Sequence, residues 1–132
     1  MQFTYLLASA LAASVSAATF KNFVDKSCQK WNGDYVPITA AQQEEIVAQR
    51  FPSEPSTPEA SYFFDPETKI ICPSNSDDTY KWVVIPPWQE APEGFSGGGG
   101  AIAVVYYNET DTYSACLYLA SLQATGYAGF CN

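Results

Sequence analysis

The chain has 132 residues, a formal charge of −8 and no histidine, and 4 cysteines. Its six cations are Lys21, Lys26, Lys30, Arg50, Lys69 and Lys81, so nothing after Lys81 can pair with a phosphate backbone, and generic nucleic-acid binding driven by counterion release is disfavoured. Four cysteines at long spacings, without a C-x-x-C pair and without histidine, also speak against a structural zinc site.

Met1–Ala18 reads as a secretory signal peptide. An apolar run over 5–15 ends in small residues, with Val15-Ser16-Ala17 or Ser16-Ala17-Ala18 as the cleavage box. The run is too short and too rich in Ala and Ser to span a bilayer, so no membrane attachment is expected. The rest, 19–132, is expected to be one domain, monomeric and outside cells, or taken up by a host cell. An even cysteine count in such a chain implies two disulfides, with three possible pairings. The nested one is the expectation: Cys28–Cys131 would tie the first segment to the last strand, and Cys72–Cys116 would lie inside it.

From Ala18 to Tyr35 the sequence suggests an arm with one short strand, turning at Asn32-Gly33-Asp34. A helix follows. Thr39 is its N-cap and Gln42 completes a capping box, with Glu44 and Glu45 near the positive end of the dipole. Ala40, Val47 and Phe51 share one face with Ile46 beside it, and Pro52 ends the run. Pro52–Glu59 reads as a connector. The stretches 61–64 and 69–72 read as a hairpin around Asp65-Pro66-Glu67-Thr68.

The apolar weight of the chain lies from Tyr80 to Cys116. Strands are expected at 80–85, 101–107 and 113–120. A proline-broken loop at 86–95 and the glycines 97–100 separate the first two. Alternation puts Lys81 and Val83 on one face of their strand and Tyr80, Trp82 and Val84 on the other. Gly97–Gly100 is not a P-loop, because Ala101-Ile102-Ala103 follows instead of Gly-Lys-Ser/Thr; a flexible hairpin loop is expected. Among the aromatic residues that could form a stacking platform (Trp88, Phe95, Tyr106, Tyr107, Tyr113, Tyr118 and Tyr127), Trp88 is the expected exposed contact. Asn108-Glu109-Thr110 is an N-glycosylation sequon in a hairpin turn.

This order of disulfide-tied arm, helix and sheet resembles the secreted fungal ribonucleases of the T1/F1 type. Thr39-Ala40-Ala41-Gln42 is similar to the start of that family's helix, and Tyr80-Lys81-Trp82 to its Tyr-Glu-Trp strand. Ser96-Gly97-Gly98 with 101–108 is similar to its glycine loop and following strand, and Phe130-Cys131 to its closing half-cystine. The resemblance implies an α+β fold: one N-terminal helix on a twisted antiparallel sheet of 4–5 strands, with two disulfides. It also implies that the family's base falls on Lys81, its arginine on Ala103 or Val104, and its histidine near Ala120. Lacking acid, base and charge stabiliser, the chain is not expected to be an enzyme, since such groups act as a unit. No cofactor, metal or catalytic residue is expected.

The function expected from the resemblance is that of a non-catalytic ribonuclease-like effector, a virulence protein of the kind secreted by plant-infecting fungi. It would bind a host protein or RNA through Tyr80, Lys81, Trp82, Trp88, Gly98 and Gly99, with Lys81 pointing into the former substrate cleft. Two alternatives stand beside it. One is RNA binding without cleavage. The other is an extracellular hydrolase using two of Asp77, Asp78, Glu90 and Glu93.

Overall fold

A computed structural model describes residues 18–57, 72, 78–93 and 98–132. The signal segment up to Ala17, the expected hairpin at 61–71, Phe95, Gly97 and Asp77 lie outside these. In chain order the elements are β1 (Thr19–Lys21), β2 (Lys26–Gln29), β3 (Tyr35–Ile38), α1 (Ala40–Arg50), a 3-10 turn (Phe51–Ser53), β4 (Ser56–Thr57), β5 (Thr79–Val84), α2 (Pro86–Gln89), β6 (Ala101–Tyr107) and β7 (Thr112–Leu119). The fold is α+β.

Two features of the expected architecture need correction. The helix is not N-terminal: three strands precede it, because the arm holds β1 and β2 and then turns at Gly33, φ 93°, into β3. Nor is the five-stranded sheet, ordered β1-β7-β6-β5-β4, purely antiparallel. β1 pairs with β7 in parallel, Thr19 opposite Thr112, while the other pairs are antiparallel. The parallel edge arises because β1 comes from the arm, most of the chain away from β7, while β6 and β7 are joined by a short turn.

α1 begins as its sequence dictates. The Thr39 side chain accepts from Gln42 N, and Gln42 Oε1 accepts from Thr39 N at 2.8 Å. Asp25 Oδ1 accepts from Ala40 N at 2.8 Å and supplies an anion where the dipole is positive. Glu44 and Glu45 do not do this, since no acidic residue falls in the first turn. Val47 and Phe51 are buried against Val83, Ile85, Ile102, Val104 and Ala115, which form the core between helix and sheet.

The reverse face of the sheet carries a second cluster: Tyr80, Ala103, Val105, Cys116 and Cys72, with Trp82, Tyr107 and Leu117 packed on it. A register shift lets β7 serve both faces. Val104 faces Ala115 but Ala103 faces Leu117, so Cys116 is an extra residue. The bulge puts Cys116 and Leu117 together on the reverse face and returns Tyr118 to the helix side. Both disulfides have the nested pairing, Cys28–Cys131 and Cys72–Cys116. No helix among the described residues is long and apolar enough to cross a membrane.

Candidate functional site

The six residues expected to form a binding surface do not converge. Lys81 lies on the helix face of β5, not in an open cleft. It is buried, and its Nζ donates to Phe51 O at 2.8 Å and Pro52 O at 3.4 Å while standing 4.7 Å over the Phe51 ring. Pro52 stops the helix, and in the 3-10 turn that follows Glu54 N is shared between Arg50 O and Phe51 O; the Lys81 cation at that negative end adds a second donor to Phe51 O. Lys81 is therefore a helix cap reaching in from a strand. Tyr80 and Trp82 project from the opposite face, as alternation requires, and the Tyr80 hydroxyl donates to Cys72 O at 2.7 Å.

Trp88 also departs from expectation. The segment after β5 is not an open loop: Pro86 and Pro87 occupy the first turn of α2, where a missing N–H costs nothing. That turn swings Trp88 inward until it is fully buried. Its indole N–H donates to Val36 O at 2.7 Å, and its ring meets Tyr118 edge-on at 6.1 Å.

The described glycines beyond it, Gly98, Gly99 and Gly100, are packed. Gly99 (φ 78°) and Gly100 (φ 61°) occupy the left-handed region. A Cβ on Gly99 would run into Ala120 O, and one on Gly100 would come within 2.9 Å of the Trp88 carbonyl. Gly98 O accepts from Leu122 N at 2.8 Å, and Gly99 O from Gln89 Nε2 at 2.9 Å. Trp88 and the glycines thus meet in a structural joint, while Tyr80, Lys81 and Trp82 divide between two faces of the sheet.

What the fold does expose lies on the outer face of the β2–β3 ribbon, whose inner face covers Trp88. The last residues add a third strand-like segment to the β2–β3 ribbon: Ser27 and Asn132 exchange backbone hydrogen bonds, Cys28 bridges Cys131, and Gln29 N donates to Phe130 O at 3.0 Å. Gln29 also pairs with Tyr35. Tyr35, Gln29 and Phe130 therefore stand in one cross-strand row, with Pro37, Ser27 and Asn132 in the row two residues along. Cys28, Val36 and Cys131, between the rows, face the core. Phe130 is 72% exposed and Tyr35 44% exposed, and Tyr127, at the tip of the 122–128 hairpin, is 79% exposed.

The backbone beneath this row is fixed. Gln29 Oε1 accepts from Phe130 N at 2.7 Å, and Gln29 Nε2 donates to Gly33 O at 2.9 Å. Gln123 Nε2 donates to Lys30 O at 3.0 Å and Ser121 O at 2.8 Å. A groove of about 280 Å³, lined in part by Ser27, Pro37, Ile38 and Asn132, borders the second row. Sequence reading singled out Tyr127 but missed Tyr35 and Phe130. The signal was there in Cys131: a half-cystine must face inward, so its strand neighbour Phe130 must face out.

Of the carboxylates of the hydrolase alternative, Asp78, Glu90 and Glu93 are among the described residues. Glu90 and Glu93 are exposed, and Glu90 stands 3.8 Å from Lys30. The β6–β7 turn is a separate feature. Asn108, Glu109 and Thr110 are all exposed there, and Asp111 closes the turn at φ 50°. Produced through a eukaryotic secretory route, the chain is expected to gain a glycan at Asn108. Peptide-N-glycosidase treatment should remove a mass that Thr110→Ala never acquires.

Beside that turn the Tyr106 hydroxyl donates to Asp111 Oδ1 at 2.7 Å. This hydrogen bond to the neutral phenol, followed by burial and the Asp111 charge, pushes the Tyr106 pKa up to about 12. A phenol whose folded pKa lies above its unfolded value of 10.0 contributes stability that is complete below pH 10 and fades as pH climbs to about 12. Burial also raises the pKa of Tyr107, Tyr113 and Tyr118, so ultraviolet titration should show several late-ionising tyrosines with Tyr106 the last, and Asp111→Asn should move Tyr106 back toward the ordinary value.

Set against known proteins, the chain matches no family model, no characterised protein and no solved structure, so its role has to be read from its own surface.

Proposed function

We propose that the chain is a secreted, non-catalytic binding protein on a ribonuclease-like α+β frame, which acts by contact with a host component. The observation that carries the reading is the outer face of the disulfide-locked ribbon. Tyr35 and Phe130 are held out to solvent there on a backbone that Cys28–Cys131 and Gln29 keep rigid. Most large apolar side chains pack into the two cores instead, so two exposed rings in one register row are a costly placement unless they meet a partner. Lys81, where the resemblance puts a base, caps a helix, and the chain has no histidine to serve as acid.

Two measurements test this. Incubated with RNA, the purified protein should release no more fragments than a heat-inactivated sample. Immobilised on resin, it should retain a specific component from a host tissue extract, and the double variant Tyr35→Ala/Phe130→Ala should lose it without a change in melting temperature. RNA cleavage above the heated control, or retention indifferent to both substitutions, overturns the proposal.

A further inference from the structure

Building on that reading of the ribbon as the contact surface, we infer that its outer face is a docking strip for a neutral, extended β-1,4-linked polysaccharide. Tyr35 and Phe130 flank Gln29 in one register row, so their Cα atoms are two strand spacings apart, roughly 10 Å. That is about the advance of two sugar rings in an extended β-1,4-linked chain, where every second ring presents the same face. Two aromatic side chains at this interval can each meet such a face. The residue between them, Gln29, commits its amide to Phe130 N and Gly33 O, which fixes the two rings at this interval.

Charge selects among partners. The chain carries −8, yet the side chains of both outer rows, Tyr35, Gln29, Phe130, Pro37, Ser27 and Asn132, are uncharged. A polyanion such as RNA would meet no cation within the two rows, only Lys26 and Lys30 at their ends, on a chain of net charge −8. A basic protein surface would find no carboxylate there. A neutral polyol needs neither. It needs flat apolar surface for its C–H faces and amides and hydroxyls for its edges: Tyr35, Phe130 and Pro37 supply the first, Ser27 and Asn132 the second. The strip is also preorganised: the Cys28–Cys131 bridge and the Gln29 and Gln123 side-chain amides hold its strands in place before any ligand arrives.

The test is depletion from solution by insoluble polysaccharide. The whole mature protein is mixed with microcrystalline cellulose, with chitin, and with granular starch as an α-linked control, at low and at moderate salt. Cellulose or chitin should deplete it and starch should not, with no dependence on salt. The cellulose and chitin arms distinguish a plant from a fungal source of the same linkage. Tyr35→Ala and Phe130→Ala should each weaken binding about tenfold, with the melting temperature unchanged. Tyr35→Trp, which keeps a ring, should retain it. Wild-type protein left in the supernatant, equal uptake by starch, uptake abolished by salt, or uptake unchanged in both alanine variants would overturn the inference. The proposed function fails separately: if polysaccharide does not bind but Tyr35→Ala/Phe130→Ala still abolishes retention from a host extract, the contact surface stands and only its glycan ligand falls.

Discussion

Gln43→Ala is expected to destabilise the fold by about 4 kcal/mol, a large share of the total for a domain of this size. Gln43 is fully buried and uses both ends of its amide. Its Nε2 donates to Val24 O at 2.8 Å and Ile38 O at 3.0 Å, and its Oε1 accepts from the Tyr118 hydroxyl at 2.6 Å. It thus joins the arm, β3 and β7 to α1. Removing it takes a donor from the Ile38 carbonyl in a buried site, at about 1–3 kcal/mol, leaves the Tyr118 hydroxyl only Val24 O at 3.4 Å to donate to, and opens a cavity as well. Gln43→Leu keeps the volume but not the bonds, and should still destabilise by about 2–4 kcal/mol. Urea unfolding followed by tryptophan fluorescence measures both. A loss under about 1 kcal/mol for the alanine variant would show that the clamp contributes little.

The second large effect is expected from Cys28→Ala/Cys131→Ala. The two cysteines are 103 residues apart, so the crosslink restricts most of the unfolded chain. In the chain-entropy account a loop of that length is worth about 4.7 kcal/mol. Cys72–Cys116, separated by 44, should be worth about 4.0 kcal/mol on the same scale. Because the two values are close, the informative difference is local. Only the first bridge holds the terminal segment against β2, so its loss should also release Phe130 from register with Gln29. Denaturant midpoints of the two double variants test the energies. Amide exchange at Ser27, Gln29 and Asn132, whose N–H groups all bond across this seam, tests the localisation.

These two predictions mark where sequence and fold part company. Gln43 falls beside Val47 on the inner face of a helix whose apolar stripe is legible, but a glutamine reads as solvent-facing by composition. Its burial depends on two carbonyls and a hydroxyl converging from the arm, β3 and β7. Trp88 is a similar case. Its surroundings of proline and acid suggest a loop, yet two prolines preset a helical turn that aims the ring at Val36. Lys81 obeyed its alternation. Which of the two faces the helix would cover was not encoded in the strand itself, so the expected cleft residue became a cap.

The capping box, the bounds of β6, the Gly33 turn, the α+β class and the number of disulfides were all readable from the chain. The local features among these depend on contacts within a few residues: a side chain meeting its own backbone, a period of two, a left-handed glycine. Cysteine count gives two disulfides and three pairings; the nested one expected here is the one that formed. Tertiary structure alone decided the parallel seating of β1, the bulge at Cys116, the packed glycine joint under Trp88 and the row that lifts Tyr35 and Phe130 into solvent. Each of these needs segments tens of residues apart to arrive at one place, and no local pattern specifies which distant neighbour will be there.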